Sequence, residues 1–154
     1  GSGHNKFGGY TEDASEYQDV VDRLLIKWET AKSIVPSPIK DFKKKNKMAI
    51  LSIGSCDDAI REARDLMSKD GHDFNYLRVR AFPFSKDIEE FINKHESVFV
   101  IEQNRDGQLL KLLKTETSCD MSKLKSIRMY NGIQIFPKDV VSKIMEEISS
   151  GKAA

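Results

Sequence analysis

Cysteine, histidine and charge of a single sign are all scarce in this chain, and each shortage closes off a class of chemistry. Only Cys56 and Cys119 occur among 154 residues, far apart, with no CxxC pair and no histidine beside either. Two thiols so placed hold neither an iron–sulfur cluster nor a structural zinc by themselves. Sparse cysteine fits a reducing, cytoplasmic compartment. His4, His72 and His95 fall in a tail, a turn after Gly71 and a helix end, without metal-ligand spacing, so surface positions and no metal site are expected. The 25 basic and 24 acidic side chains leave a net charge of +1. No global field therefore draws in nucleic acid or an anionic membrane. No apolar run approaches the ~20 residues of a membrane span, and no signal-peptide pattern is visible.

What is present describes a soluble globular protein: 39% hydrophobic and 32% charged residues, in a length that suits one domain with an appendage. Gly1 to Gly3 read as a cloning scar and Gly151 to Ala154 as a frayed tail. Residues 4–12 are glycine-rich and have no period; alone they would be disordered or would lie on another surface. Asp13 and Glu16 have capping-box spacing, and Tyr17, Val20, Val21, Leu24, Leu25, Trp28 and Ala31 follow at helical spacing, predicting a long amphipathic helix that stops before Pro36. Lys40 to Lys47 read as a solvated linker, which closes a first region at residues 4–47.

Residues 48–150 then alternate strand and helix. Strands are expected at Met48–Ile53, Phe74–Ala81, Val98–Glu102 and Lys125–Tyr130, with a short fifth at Ile133–Phe136. Helices between them bury Ile60, Ala63 and Met67, then Ile88, Phe91 and Ile92, then Leu109, Leu110, Leu112 and Leu113. Gly71 ends the first of these, and Pro137 opens a last helix with Val140, Val141, Ile144 and Ile148. Strands separated by single helices predict a three-layer sandwich: a mostly parallel sheet of about five strands with helices on both faces, preceded by the long N-terminal helix.

The candidates for catalysis are weak. Gly54-Ser55 lacks the three glycines of a dinucleotide fingerprint and reads as a tight turn with Ser55 as a helix N-cap. Asp57 and Asp58 suit the start of a helix, where acids complement the dipole. Cys56 has no base partner, so a buried or turn cysteine is the simpler assignment. No catalytic residue is assigned.

Two clusters stand apart. Glu102, Gln103, Asn104, Arg105, Gly107 and Gln108 crowd the carboxyl end of the Val98–Glu102 strand, where open α/β sheets place binding surfaces, with Asp106 as a capping residue for the helix that follows. Arg78 and Arg80 alternate along a strand and reach one face near its carboxyl end. With Arg105 they could clamp carboxylates or phosphates. Equally, they could pair with Glu102 or with a neighbouring subunit.

With these residues in view, the chain resembles the C-terminal part of the α subunit of 2-oxoacid:ferredoxin oxidoreductases, the 2-oxoglutarate type most of all. The resemblance covers roughly His4 to Phe136. It rests on the segment from His4 through the helix to Ala31, on Gly54-Ser55 with Glu62-Ala63-Arg64, on Leu77-Arg78-Val79-Arg80-Ala81-Phe82-Pro83-Phe84, and above all on Val100-Ile101-Glu102-Gln103-Asn104-Arg105-Asp106-Gly107-Gln108-Leu109. It implies a fold like the transketolase C-terminal domain and, upstream, a domain binding the pyrimidine half of thiamine diphosphate, against which the long helix with Trp28 would connect or pack. It further implies an enzyme that oxidatively decarboxylates a 2-oxoacid, forms an acyl-CoA and passes electrons to ferredoxin. Thiamine diphosphate, Mg, iron–sulfur clusters and coenzyme A would serve the holoenzyme, and β and further γ or δ subunits would be partners. The chain itself is expected to bind no cofactor and to be inert alone, with Arg78, Arg80 and the 102–108 cluster at an interface or a coenzyme A contact. The contrasting expectation is a free-standing α/β binding or regulatory module.

Overall fold

The computed structural model describes residues 3–42 and 45–151; Lys43 and Lys44 of the lysine-rich link, and most of the two termini, lie outside them. The chain divides into two compact units, Gly1–Val35 and Pro36–Ala154.

In the first unit the glycine-rich start is an ordered ribbon. β1 (Gly3–His4) pairs antiparallel with β2 (Tyr10–Thr11). Asn5 tightens the turn, its Oδ1 accepting from the Phe7 and Gly9 amides at 3.1 and 3.0 Å. Gly3 belongs to the ribbon, and a Cβ there would stand 2.5 Å from the Tyr17 ring. Helix α1 (Ala14–Ile34) begins where the capping spacing predicts, Asp13 accepting from the Glu16 amide at 2.9 Å, and it ends before Pro36. None of its residues is buried.

The second unit is a five-stranded sheet in the order β3-β5-β4-β6-β7. The strands are β3 (Ile39–Asp41), β4 (Met48–Ile53), β5 (Asn75–Val79), β6 (Ser97–Glu102) and β7 (Leu124–Arg128). All neighbours are parallel except β3, which runs antiparallel to β5 with Ile39 opposite Arg78. Central β4 and β6 are nearly continuous apolar runs because helices cover both of their faces. On one face α3 (Lys86–Asn93) and α4 (Gln108–Glu116) pack Ile88, Phe91, Ile92, Leu109 and Leu113 onto Leu51, Leu77, Val98 and Val100. On the other, α2 (Asp57–Lys69) and α5 (Pro137–Ser149) pack Ile60, Ala63, Met67, Val140 and Ile144 onto Ile50, Tyr76, Phe99 and Ile101. Each fully buried aliphatic or aromatic side chain stabilises the sandwich by about 1.5–3 kcal/mol.

Four expectations are corrected. The fifth strand is β3, cut from what reads as a linker, whereas residues 133–136 are not a strand. An edge strand needs only three residues and one half-covered face, so its apolar signal is faint. Second, Ser55 does not cap a helix: Gly54–Cys56 form a single 3₁₀ turn, and α2 begins at Asp57 with no side-chain cap. Third, residues 4–12 are not disordered: β1 and β2 pair across the turn that Asn5 braces. Fourth, His95 is buried, not exposed: its Nδ1–H donates to the Phe91 carbonyl at 2.7 Å and its Nε2 accepts from the Asn75 side-chain Nδ2 at 2.9 Å. That pair ties the end of α3 to the start of β5.

Candidate functional site at the carboxyl edge of the sheet

The chain leaves β4 for a helix on one face and β6 for a helix on the other. The two adjacent strands therefore form the switch point where open sheets offer a crevice beyond their carboxyl ends. Gln103 spans it. Its Oε1 accepts from the Ser55 hydroxyl at 3.4 Å and its Nε2 donates to the Ile133 carbonyl at 2.8 Å, joining the three loops that follow β4, β6 and β7.

Glu102 turns inward. Its carboxylate is buried and accepts from the Leu109 amide at 2.7 Å, the Leu110 amide at 3.3 Å and the Asn104 side chain at 2.6 Å. Asn104 Oδ1 in turn accepts from the Asp106 and Gln108 amides, each at 3.1 Å. Glu102 and Asn104 together satisfy the first amides of α4, the role that sequence spacing gives to Asp106. The residue at the N-cap position is Gly107, at φ +64° with no side-chain cap. A left-handed residue there lets the chain double back over the carboxylate, and a Cβ would sit 3.6 Å from Glu102 Oε1. Asp106 instead accepts from Arg105 at 2.7 Å on the surface.

The arginines do not converge. Arg78 is half-buried and donates to Asp57 at 3.1 Å rather than to Glu102, because β4 separates β5 from β6. Arg105 is engaged by Asp106. Arg80 lies just past the end of β5, exposed and free of hydrogen bonds and ion pairs among the described residues. Sequence reasoning missed the hub of this corner. Asp57 accepts from Arg61 at 3.2 Å and from the buried Tyr76 hydroxyl at 2.9 Å, and Ser52 meets the same hydroxyl at 2.7 Å. Burial pushes the Tyr76 phenol well above its ordinary pKa. Arg64, also buried, donates to Asp41 at 2.6 Å and to the Phe74 carbonyl at 2.9 Å, which fastens α2 to β3 and β5. The clue lay in Ser52 and Tyr76, polar groups inside otherwise apolar strands.

No nucleophile–base pair emerges at this edge. Cys56 is buried and its thiol is pushed up by that burial. Cys119 lies in the opposite apolar layer, so the two thiols cannot share a cluster. No group of three His, Cys, Asp or Glu able to hold a metal occurs among the described residues. Among the side chains the edge exposes are apolar ones at and after the ends of β4, β5 and β7: Ile53, Phe82, Tyr130, Ile133 and Phe136, Tyr130 at 62% and Ile133 at 55%. Beside them a cavity of about 500 Å³ opens between the loop after β7 and α5, lined by Arg128, Tyr130, Asn131, Gln134 and Lys143 among others.

The family model for pyruvate:ferredoxin oxidoreductase core domain II matches residues 46–148. The chain belongs to this family. Among curated proteins the domain is similar to the α subunit of 2-oxoacid:ferredoxin oxidoreductase 2 from Aeropyrum pernix, 27% identical over 158 residues, covering 97% of this chain and 24% of the relative. Among solved structures it is similar to the 2-oxoglutarate:ferredoxin oxidoreductase of Magnetococcus marinus with 2-oxoglutarate, coenzyme A and succinyl-CoA bound. That match has a TM-score of 0.81 at 20% identity and covers 94% of this chain and 25% of the other. A second is the α chain of a probable 2-oxoacid ferredoxin oxidoreductase from Thermoplasma acidophilum, with TM-score 0.50, 19% identity, 73% of this chain and 97% of that one. The domain spans about a quarter of the length of the first two relatives. The family resemblance and the three-layer fold expected from the sequence are borne out.

Proposed function

We propose that this chain is the C-terminal domain of the α subunit of a 2-oxoacid:ferredoxin oxidoreductase acting on 2-oxoglutarate. Its task there is to hold the assembly together rather than to perform the reaction. The observation that carries the reading is the carboxyl edge of the sheet. It has exposed apolar side chains and the free Arg80, while the carboxylates of Asp57, Glu102 and Asp106 are spent on internal bonds. Such an edge suits a protein partner: apolar anchors supply affinity, and Arg80 with Gln108 supplies specificity at the rim.

In this reading the complete enzyme decarboxylates the 2-oxoacid, transfers the acyl group to coenzyme A and passes the electrons to ferredoxin. In the same reading thiamine diphosphate, magnesium and iron–sulfur clusters sit on other domains or on the β and further subunits. Arg80 is the arginine available to an anionic group of a partner.

The test is co-expression of the complete α subunit with its β partner, carrying Arg80→Ala, Gln108→Ala and Ile133→Ser together. We expect complex recovered by size exclusion to fall at least about tenfold, the scale of losing one interface anchor. 2-Oxoglutarate-dependent ferredoxin reduction should fall in step. Unchanged complex and unchanged activity would remove the interface assignment.

A further inference from the structure

The sheet has two open sides, and they are finished differently. At one side β3 is three residues long, follows Pro36 and Pro38, and spends Lys40 on Asp87 at 2.6 Å. Short length, proline and lysine are the usual guards against further pairing. At the other, β7 runs five residues without a proline, and no strand lies beyond it among the described residues.

The register with β6 decides which backbone groups β7 leaves open. The Met129 amide donates to the Glu102 carbonyl at 3.1 Å, and Arg128 stands opposite Glu102. Backbone groups alternate sides along an extended strand, so Lys125, Ile127 and Met129 turn theirs to β6. Leu124, Ser126 and Arg128 turn theirs outward. The Leu124 amide is spent on the Met121 carbonyl. What remains is the Leu124 carbonyl with both groups of Ser126 and both of Arg128. This row fits its own reverse. Laid antiparallel against itself about Ser126, the Ser126 amide and carbonyl bond those of the copy. The Arg128 amide then meets the Leu124 carbonyl, twice by symmetry.

The side chains agree with that register. Ser126 meets Ser126, Lys125 meets Ile127 and Arg128 meets Leu124, so no like charges stand directly opposite. Both cations are also drawn off the edge. Lys125 donates to the Ser122 carbonyl at 3.3 Å, and Arg128 to the Arg105 carbonyl at 2.9 Å. Beside β7 a second cavity of about 230 Å³ continues the larger one, lined by Ser126, Arg128, Lys143, Glu146 and Glu147 among others. Lys143 and Glu147 lie one turn apart on α5, and neither side chain has a hydrogen bond or ion pair among the described residues. Ser126 shares that cavity with both. A two-fold axis at Ser126 therefore runs the two α5 helices antiparallel and sets Lys143 of each against Glu147 of the other. An unrelated strand could use the same backbone groups, but it would also have to match these charges. A second copy matches them already.

We propose that the open side of β7 is a homotypic interface. β7 pairs antiparallel with β7 of a second copy of this chain about a two-fold axis at Ser126, joining two five-stranded sheets into one, with Lys143 facing Glu147 across the axis.

Disulfide trapping in the complete α subunit, co-expressed with its β partner, tests the pairing. A hydrogen-bonded antiparallel pair holds its Cα atoms about 5.5 Å apart, within the span of a disulfide. Ser126→Cys under mild oxidation should therefore join two α chains, and mass spectrometry should find position 126 bonded to position 126. Lys143→Glu in that background turns two attractions into two repulsions and should cut the product at least about tenfold. Adding Glu147→Lys puts opposite charges face to face again and should bring the product back. No 126–126 link, or a link from 126 only to another segment or to the β subunit, would overturn the pairing. So would a product indifferent to Lys143→Glu, or one that Glu147→Lys fails to restore. The pairing uses only this chain's own edge and does not rest on the subunit assignment. Ferredoxin reduction by the same preparation reports on that assignment separately.

Discussion

Glu102 shows how a conspicuous polar side chain can work inward, on the backbone and on Asn104 of its own loop. The crowd of polar residues after β6 is plain in the sequence, but which of them face outward is not. That depends on Gly107 reversing the chain so that α4 begins above the Glu102 carboxylate. Three donors converge on that carboxylate, and a hydrogen bond to a charged group contributes about 1.5–3 kcal/mol. Glu102→Ala leaves the Leu109 and Leu110 amides without their acceptor. It should lower the unfolding free energy of the domain by about 2–4 kcal/mol, read as a fall in the urea midpoint at constant slope. Glu102→Gln retains one acceptor oxygen and should lose less. If Glu102→Ala unfolds like the parent, the carboxylate is a docking group after all, and the internal-cap account fails.

At the scale of elements, strongly periodic segments were legible and thinly buried ones were not. Met48–Ile53 reads as a strand because five of its six residues are apolar and the Gly54-Ser55 turn bounds it. β3 hides because lysines surround it and its pairing partner lies far along the chain. The junction of α3 and β5 escaped for another reason: histidine carries no pattern that separates a surface ring from a buried one. Here it makes the fold acid-sensitive. Burial holds the His95 imidazole below its ordinary pKa, helped by Lys123 and Lys94 nearby. The unfolded chain therefore binds this proton more readily than the folded one. Stability is full above the ordinary imidazole pKa of about 6.5 and falls as pH drops through it, levelling once the folded group protonates. The loss should approach, without exceeding, about 1.4 kcal/mol per pH unit. Urea titrations between pH 7 and 5, above the range where most carboxylates protonate, should show this slope in the parent and not in His95→Gln. A flat parent profile would mean that the ring is solvated.

Across the whole molecule, the sequence carried the sandwich, the long helix and the family, but not the contrast between two units in how they hold their structure. The sheet unit is stabilised from within. β4 and β6 are each paired on both sides, and Ile50, Leu51, Val98, Phe99, Val100 and Ile101 are fully buried. The first unit has only its Asn5-braced ribbon and a helix with nothing buried. Hydrogen exchange should divide the chain accordingly, because amides in a buried ladder wait for global unfolding and those in an uncovered helix wait only for local fraying. Amides of β4 and β6 in the 154-residue chain should exchange at least about a thousandfold more slowly than those of Val21 to Trp28, a gap of ~4 kcal/mol at 1.4 kcal/mol per tenfold. Equal protection would show that α1 and its ribbon hold their own structure as firmly as the sheet does. Slow exchange of α1 only in the complete enzyme would show the reverse: its stability comes from the surface it covers there, whereas the sheet brings its own.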